Sequence, residues 1–191
     1  MHCQQRALLL LLAALLLAPA SGASGGVCVD APQSSLCLNW TVASGSVTFS
    51  AACAPPPGMS TTYWCAFGLS TAGADMFPST VAAVQSAGGG VFYVEDRDSF
   101  IGYRSPPCYA TQISRLLSAS LAGGALLASW TRPLNVSAAL HAQHYQDIRL
   151  GPAGMTLIAA SSSDTSAATR QCNPDMQLHT YCVPGVQVVF E

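Results

Sequence analysis

The sequence predicts an all-β sandwich, and three observations carry that prediction. Eight or nine short runs rich in Val, Phe, Tyr, Trp and Thr recur along the chain. Each is bounded by a cluster of Gly, Pro, Ser or Asp, which is the punctuation of strands and turns rather than of helices. Of 191 residues, 50% are hydrophobic and only 8% charged, enough apolar material for one packed core and too little charge for a disordered tail. A single domain is expected.

The first segment is not part of the predicted fold. MHCQQR carries Arg6 and no acid, ALLLLLAALLLA is an apolar run of twelve, and PASGAS offers small residues for cleavage between Ala20 and Ser24. Residues 1–23 are therefore expected to be a signal peptide and residues 24–191 the mature domain. An uncleaved anchor is disfavoured, because a spanning helix needs roughly 20 apolar residues. The later apolar stretch, Leu116 to Trp130, is broken by Gly123, Gly124 and serines. The mature chain is expected to be secreted, with no transmembrane segment.

The strands follow in order. LNWTV and SVTFS flank ASGS, 43 to 46, short enough for a hairpin. CAPPPGMS, 53 to 60, is a stiff surface loop. TTYWCAFGLS and STVAAV enclose a small-residue turn that contains Met76, and SAGGG, 86 to 90, frees the backbone before GVFYVED. ALLASWTRPL, MTLIAAS and VQVVF complete the set. The one segment with helical spacing is Ser137 to Ile148, where His141 and His144 stand three apart on one face. Such a pair could hold a metal ion, but with no third and fourth ligand nearby a solvated helix surface is the preferred reading.

Charge and motifs mainly exclude. All seven basic residues are arginine, and the mature chain has six of them against nine acids, so there is no basic patch for nucleic acid. The absence of lysine removes Schiff-base and P-loop chemistry. No G-x-G-x-x-G, G-x-S-x-G or H-E-x-x-H motif occurs. The acids are scattered except for EDRD at 95 to 98, which reads as a solvated strand end, with a calcium site as the second reading. No catalytic residue is assigned, and the chain is not expected to be an enzyme on its own.

The cysteines agree with export. Seven remain after Cys3 leaves with the signal, at 28, 37, 53, 65, 108, 172 and 182, a density suited to disulfides in an oxidising compartment. Seven is odd, so one thiol is left over within a single chain. Cys65 could be a buried hydrophobe or bridge to Cys108. Asn39-Trp40-Thr41 and Asn135-Val136-Ser137 are glycosylation acceptors, so the protein is expected to be a glycoprotein.

The order of these motifs resembles the DOMON domain family. An aromatic strand ending in Phe67-Gly68-Leu69, a turn closed by Met76, VFYVEDRD, SWTRPL, QDIRL, MTLIAAS and a histidine before the last strand carry the likeness, from about Cys28 to Phe190. The resemblance implies an immunoglobulin-like β-sandwich of about nine to eleven strands. Some members place a b-type haem between the two sheets, with one Met and one His as axial ligands; others bind no haem, and some are proposed to hold sugars or other small ligands.

On that resemblance Met76 and His179 are the candidate haem ligands, 103 positions apart. With both axial positions filled by protein, no site is open for oxygen, and a thioether favours ferrous iron, so the chemistry implied is single-electron transfer. His179 lies between Cys172 and Cys182; a disulfide there would remove about 2–3 kcal/mol of unfolded-chain entropy and hold the ring in place. A zinc site built on the same residues lacks a fourth ligand. Trp64, Phe67, Phe77, Val81, Val84, Phe92, Leu157 and Ile158 are candidate pocket walls, and Arg132 or Tyr103 could meet the haem propionates. The partner would be a diffusing redox protein, since neither a dehydrogenase nor a membrane cytochrome follows VQVVF. The alternative is a haem-free extracellular binding module for a carbohydrate or small aromatic ligand, with Met76 filling a gap in the core. A structural adhesion domain is the third class, and Tyr63, Tyr103, Tyr109 and Tyr145, expected at the surface, would serve either binding or an interface.

Overall fold

Alternation of apolar and polar residues becomes two packed sheets. The computed structural model describes residues 23–31, 34–54, 63–72, 79–99, 107–162 and 181–190. Ten strands and one helical turn are found there: β1 (Ala23–Ala31), β2 (Ser34–Ala43), β3 (Ser46–Ala54), β4 (Tyr63–Ser70), β5 (Thr80–Ser86), β6 (Phe92–Asp98), β7 (Arg115–Ala122), β8 (Ala125–Pro133), α1 (Ala138–His141), β9 (Met155–Ser162) and β10 (Tyr181–Val188). The first sheet runs β1-β2-β3-β8-β7 and the second β10-β9-β4-β5-β6. All the pairings between these strands are antiparallel. The strand count falls within the expected nine to eleven.

Two strands were not anticipated. β1 contains Gly25 and Gly26 and begins at Ala23, the last residue of the segment expected as a signal peptide, so its β signal is diluted. β7 belongs to the apolar stretch that Gly123 and Gly124 interrupt; those glycines, at φ 60° and 81°, form the tip of the β7–β8 hairpin. Ser44 and Gly45, at φ 50° and 77°, do the same between β2 and β3. Two successive positive φ values give a turn whose twist matches that of the strands it joins.

The core fills the space between the sheets. Phe49 and Phe67 both stack on Trp130, at centroid distances of 5.4 and 6.1 Å, and Trp40 and Phe49 pack on Phe190 at 5.0 and 6.2 Å. Cys53 of β3 is bonded to Cys65 of β4, which ties one sheet to the other through the interior; both residues are buried. Cys65 therefore pairs with Cys53 and not with Cys108, although Cys108 is itself disulfide-bonded. Cys28 is bonded to Cys37 across the β1–β2 hairpin.

The helix expected over Ser137 to Ile148 shrinks to one turn. Ser137 caps it, its hydroxyl accepting from the Leu140 N–H, and His144 ends the following turn at φ 71°. The cause is tertiary: Tyr145 turns inward to stack on Tyr109 at 3.8 Å, and the Ile148 N–H donates to the Leu134 carbonyl, neither of which a continuing helix allows. Among the described residues no helix is long and apolar enough to cross a membrane.

Candidate cofactor site

The two sheets differ in what they do with their outer faces. In the first, β3 alternates strictly between buried and half-buried residues, as expected for a sheet with one solvated face. In the second, Trp64 to Ser70 of β4 and Met155 to Ser161 of β9 are buried without a break. Cys65, Phe67 and Leu69 point into the core between the sheets. Trp64 and Ala66 point the other way and form a separate cluster with Val81, Ala83 and Ala160. The outer face of the second sheet is thus an apolar surface shielded from water.

Its centre is built from small side chains. Ala66, Gly68, Ala83 and Ala160 lie side by side on β4, β5 and β9, because β4 pairs with both neighbours at those positions. At one end stands Gln85, directly opposite Trp64 in the strand register. Gln85 is fully buried, yet neither its amide nitrogen nor its amide oxygen has a hydrogen-bond partner. An amide in that state destabilises the fold by about 1–3 kcal/mol, so it marks a place where a polar partner from outside the chain would be welcome. On β6 the same face holds a buried ion pair: Arg97 donates from Nε and Nη2 to Glu95 Oε2 at 2.9 and 2.6 Å. Beside it, the Ser79 and Ser99 hydroxyls meet at 2.9 Å and tie the start of β5 to the end of β6.

Met76, His179 and Cys172 lie outside the described residues, as do the side chain of Cys182, Phe77, Tyr103 and the segment 1–22. The described flanks locate the ends of the sheet from which the chain leaves toward Met76 and returns from His179. The chain departs toward Met76 after Ser70–Ala72 and is back at Ser79, where Leu69 pairs with Thr80. It returns from His179 at Tyr181, which pairs with Ser161, itself paired with Cys65. Ser70 and Cys65 are five positions apart on β4, about 17 Å at roughly 3.3 Å per residue. The two segments are anchored at opposite ends of the second sheet.

Among the described residues, the space between the sheets, where the family resemblance puts a haem, shows no porphyrin-sized slot. A cavity there, lined by residues that include Phe49, Phe67, Trp130 and Arg132, measures about 10 Å³, room for one water at most. Cofactor pockets are of the order of 300–1,000 Å³. The candidate walls accordingly divide: Phe67, Val84, Phe92 and Leu157 belong to the core between the sheets, while Trp64, Val81 and Ile158 do not. Arg132 is not at a rim either. It is buried beside that cavity, and its Nη2 donates to the Gln146 carbonyl at 2.7 Å. Burial pulls its pKa down, and the Asp96 carboxylate opposes that shift.

Other expected sites are resolved differently from the sequence reading. EDRD is not a solvated strand end: Glu95, Asp96 and Arg97 are fully buried. Asp96 accepts from the Ile113 and Ser114 N–H groups, each at 2.7 Å, and from the Ser114 hydroxyl at 2.6 Å, which clamps the segment before β7 to β6. His141 and His144 share no ligand. His141 Nε2 lies 3.4 Å from Asp147 and His144 Nδ1 lies 3.0 Å from Asp98. Among the described residues no group of three potential metal ligands occurs. Tyr109 and Tyr145 are buried rather than exposed, and burial, aided by nearby Asp98 and Asp96 respectively, pushes both phenols well above their ordinary pKa. Asn135 is exposed in the turn after β8 and Asn39 is half-buried on β2. Sequence reasoning missed Gln85 altogether; a lone Gln in an apolar strand, TVAAVQS, was the only available signal.

No family model matches the chain, and no curated protein matches its sequence. Four chains among solved structures do match. One is the cytochrome domain of Myriococcum thermophilum cellobiose dehydrogenase, with 15% identity, a TM-score of 0.59, and coverage of 87% of this chain and 82% of that one. The fold is that of a cytochrome-domain-like β-sandwich. Among the described residues the disulfides also fit an oxidising compartment.

Proposed function

We propose that this chain is a secreted electron-transfer module that carries a b-type haem on the outer face of its second sheet, with Met76 and His179 as axial ligands. The observation that carries the reading is the shielded small-residue surface around Ala66, Gly68, Ala83 and Ala160, with the unpartnered Gln85 amide at one end. The methyl groups of Ala66, Ala83 and Ala160 let the edge of a flat ring approach the sheet closely, leaving both of its faces open to ligands, and the apolar surroundings exclude water from it. Axial ligands must come from opposite faces of a porphyrin, and segments anchored at opposite ends of one sheet suit that demand. When bound, haem supplies a one-electron couple, and full axial ligation confines it to that role.

The chain's own residues would divide the remaining work. Gln85 offers a donor and an acceptor to a polar edge of the ligand or to a ligating imidazole, whose second nitrogen needs a partner to fix its orientation. The Glu95–Arg97 pair keeps a buried cation next to the apolar surface without leaving net charge there. The cytochrome-domain neighbour supports the fold of this reading, and the export features of the amino-terminal sequence support its location.

The test is optical. Mature protein folded under oxidising conditions with haem supplied is expected to give a low-spin six-coordinate spectrum in both oxidation states, lost in Met76→Ala and in His179→Ala. Spectra unchanged in both variants overturn the ligand assignment, and a wild-type protein that takes up no haem overturns the cofactor and turns the search to carbohydrates.

A further inference from the structure

Cys28–Cys37 and Cys53–Cys65, both of whose partners lie among the described residues, differ in placement. Cys53–Cys65 is sealed in the core between the sheets. Cys28 and Cys37 sit directly opposite one another on β1 and β2, on the solvent face of the first sheet, with Cys28 exposed and Cys37 half-buried. β1 is an edge strand, paired only with β2. Its apolar hold is slight: Val29 is buried and Val27 partly so, while Gly25 and Gly26 bring no side chain. The glycines instead let β2 side chains lie across them. A Cβ at Gly25 would stand 2.5 Å from the Trp40 ring, and one at Gly26 would run into the Asn39 carboxamide.

We infer that Cys28–Cys37 is a thiol–disulfide exchange site, and that opening it releases β1 and uncovers Trp40. Exchange requires a thiolate to reach a disulfide sulfur, so access decides which bond reacts. A dithiol reductant attacks Cys28 Sγ; the S–S bond breaks and its electron pair leaves on Cys37 Sγ, which takes a proton. The second thiolate of the reductant then attacks the mixed disulfide and frees Cys28. The protein gains two thiols and two electrons, and the dithiol becomes its own disulfide. With the cross-link gone, β1 is held by nine residues of hairpin pairing, two valines and its contact with β10. For cysteines nine positions apart the loop-entropy relation makes release about 100-fold more frequent. The inference is independent of haem.

The test uses the full mature chain and dithiothreitol as the probe. After limited reduction and alkylation, mass mapping is expected to find Cys28 and Cys37 labelled while Cys53 and Cys65 stay bonded. Tryptophan emission shifts in step with labelling, and the shift is absent in Trp40→Phe. Amide exchange over residues 23–31 rises by about 100-fold, and Cys28→Ser/Cys37→Ser reproduces the rise without reductant. Equal or earlier opening of Cys53–Cys65 overturns the assignment of the site. Unchanged exchange over residues 23–31, in the reduced protein and in the double variant, overturns the release of β1.

Discussion

Replacing Gln85 by methionine probes the outer face of the second sheet directly. Gln85 is fully buried and neither end of its amide is hydrogen-bonded. A buried polar group left unsatisfied costs about 1–3 kcal/mol, whereas an apolar side chain of similar volume costs little to accommodate. Haem-free Gln85→Met is therefore expected to be more stable than wild type by about 2 kcal/mol. For a chain of this size each kcal/mol moves the melting temperature by about 2–4 °C, so Tm rises by about 4–8 °C. Circular dichroism melts of the two haem-free proteins measure this. In haem-loaded protein the gain shrinks or reverses, because wild-type Gln85 then has a partner to lose, and haem binds the variant more weakly. A haem-free variant that melts lower than wild type, by the equivalent of 1 kcal/mol or more, refutes the reasoning: the amide would then be satisfied by the protein itself.

Three other substitutions and one titration follow from the same geometry. Ala66→Leu raises bulk in the middle of the small-residue surface; haem uptake is expected to fall, measured by Soret titration, while overpacking costs the fold about 1–3 kcal/mol. Phe49→Ala opens the aromatic core between the sheets and should cost about 3–5 kcal/mol in denaturant melts without altering the haem spectrum, if haem lies where proposed, outside that core. Replacing both Cys53 and Cys65 by alanine removes the tie between the sheets and is expected to cost about 2–5 kcal/mol. At alkaline pH the stacked Tyr109–Tyr145 pair sets the limit. Both phenols have folded-state pKa values raised above the ordinary 10.0, chiefly by burial. Their contribution is whole below pH 10 and is lost above it, because the unfolded chain ionises first. Stability should fall by up to about 2.7 kcal/mol per pH unit above 10, and by half that slope in Tyr109→Phe.

Much of the fold was legible because strand signals are local. LNWTV, SVTFS and TTYWCAFGLS carry β-branched and aromatic residues at period two, and each became a strand. The hairpin at ASGS was legible for the same reason: Ser44 and Gly45 tolerate the positive φ that the turn demands. β1 was hidden by its glycines, whose purpose, to lie under Trp40 and Asn39, exists only once β2 is alongside. The helix over Ser137 to Ile148 was over-read, because its spacing could not reveal that Tyr145 is drawn inward by Tyr109, 36 positions earlier.

By itself the sequence determined the sandwich class and the hairpin turn at ASGS, both of which depend on neighbours within a few residues. Only the tertiary structure decided that Cys65 joins Cys53 across the core, that EDRD is buried, and that the aromatic residues fill the space between the sheets. It also decided which face of the second sheet packs against the first sheet and which faces away from it. Alternation marks two faces on every strand, but which of them meets the other sheet depends on how distant strands pack, and no local pattern encodes that.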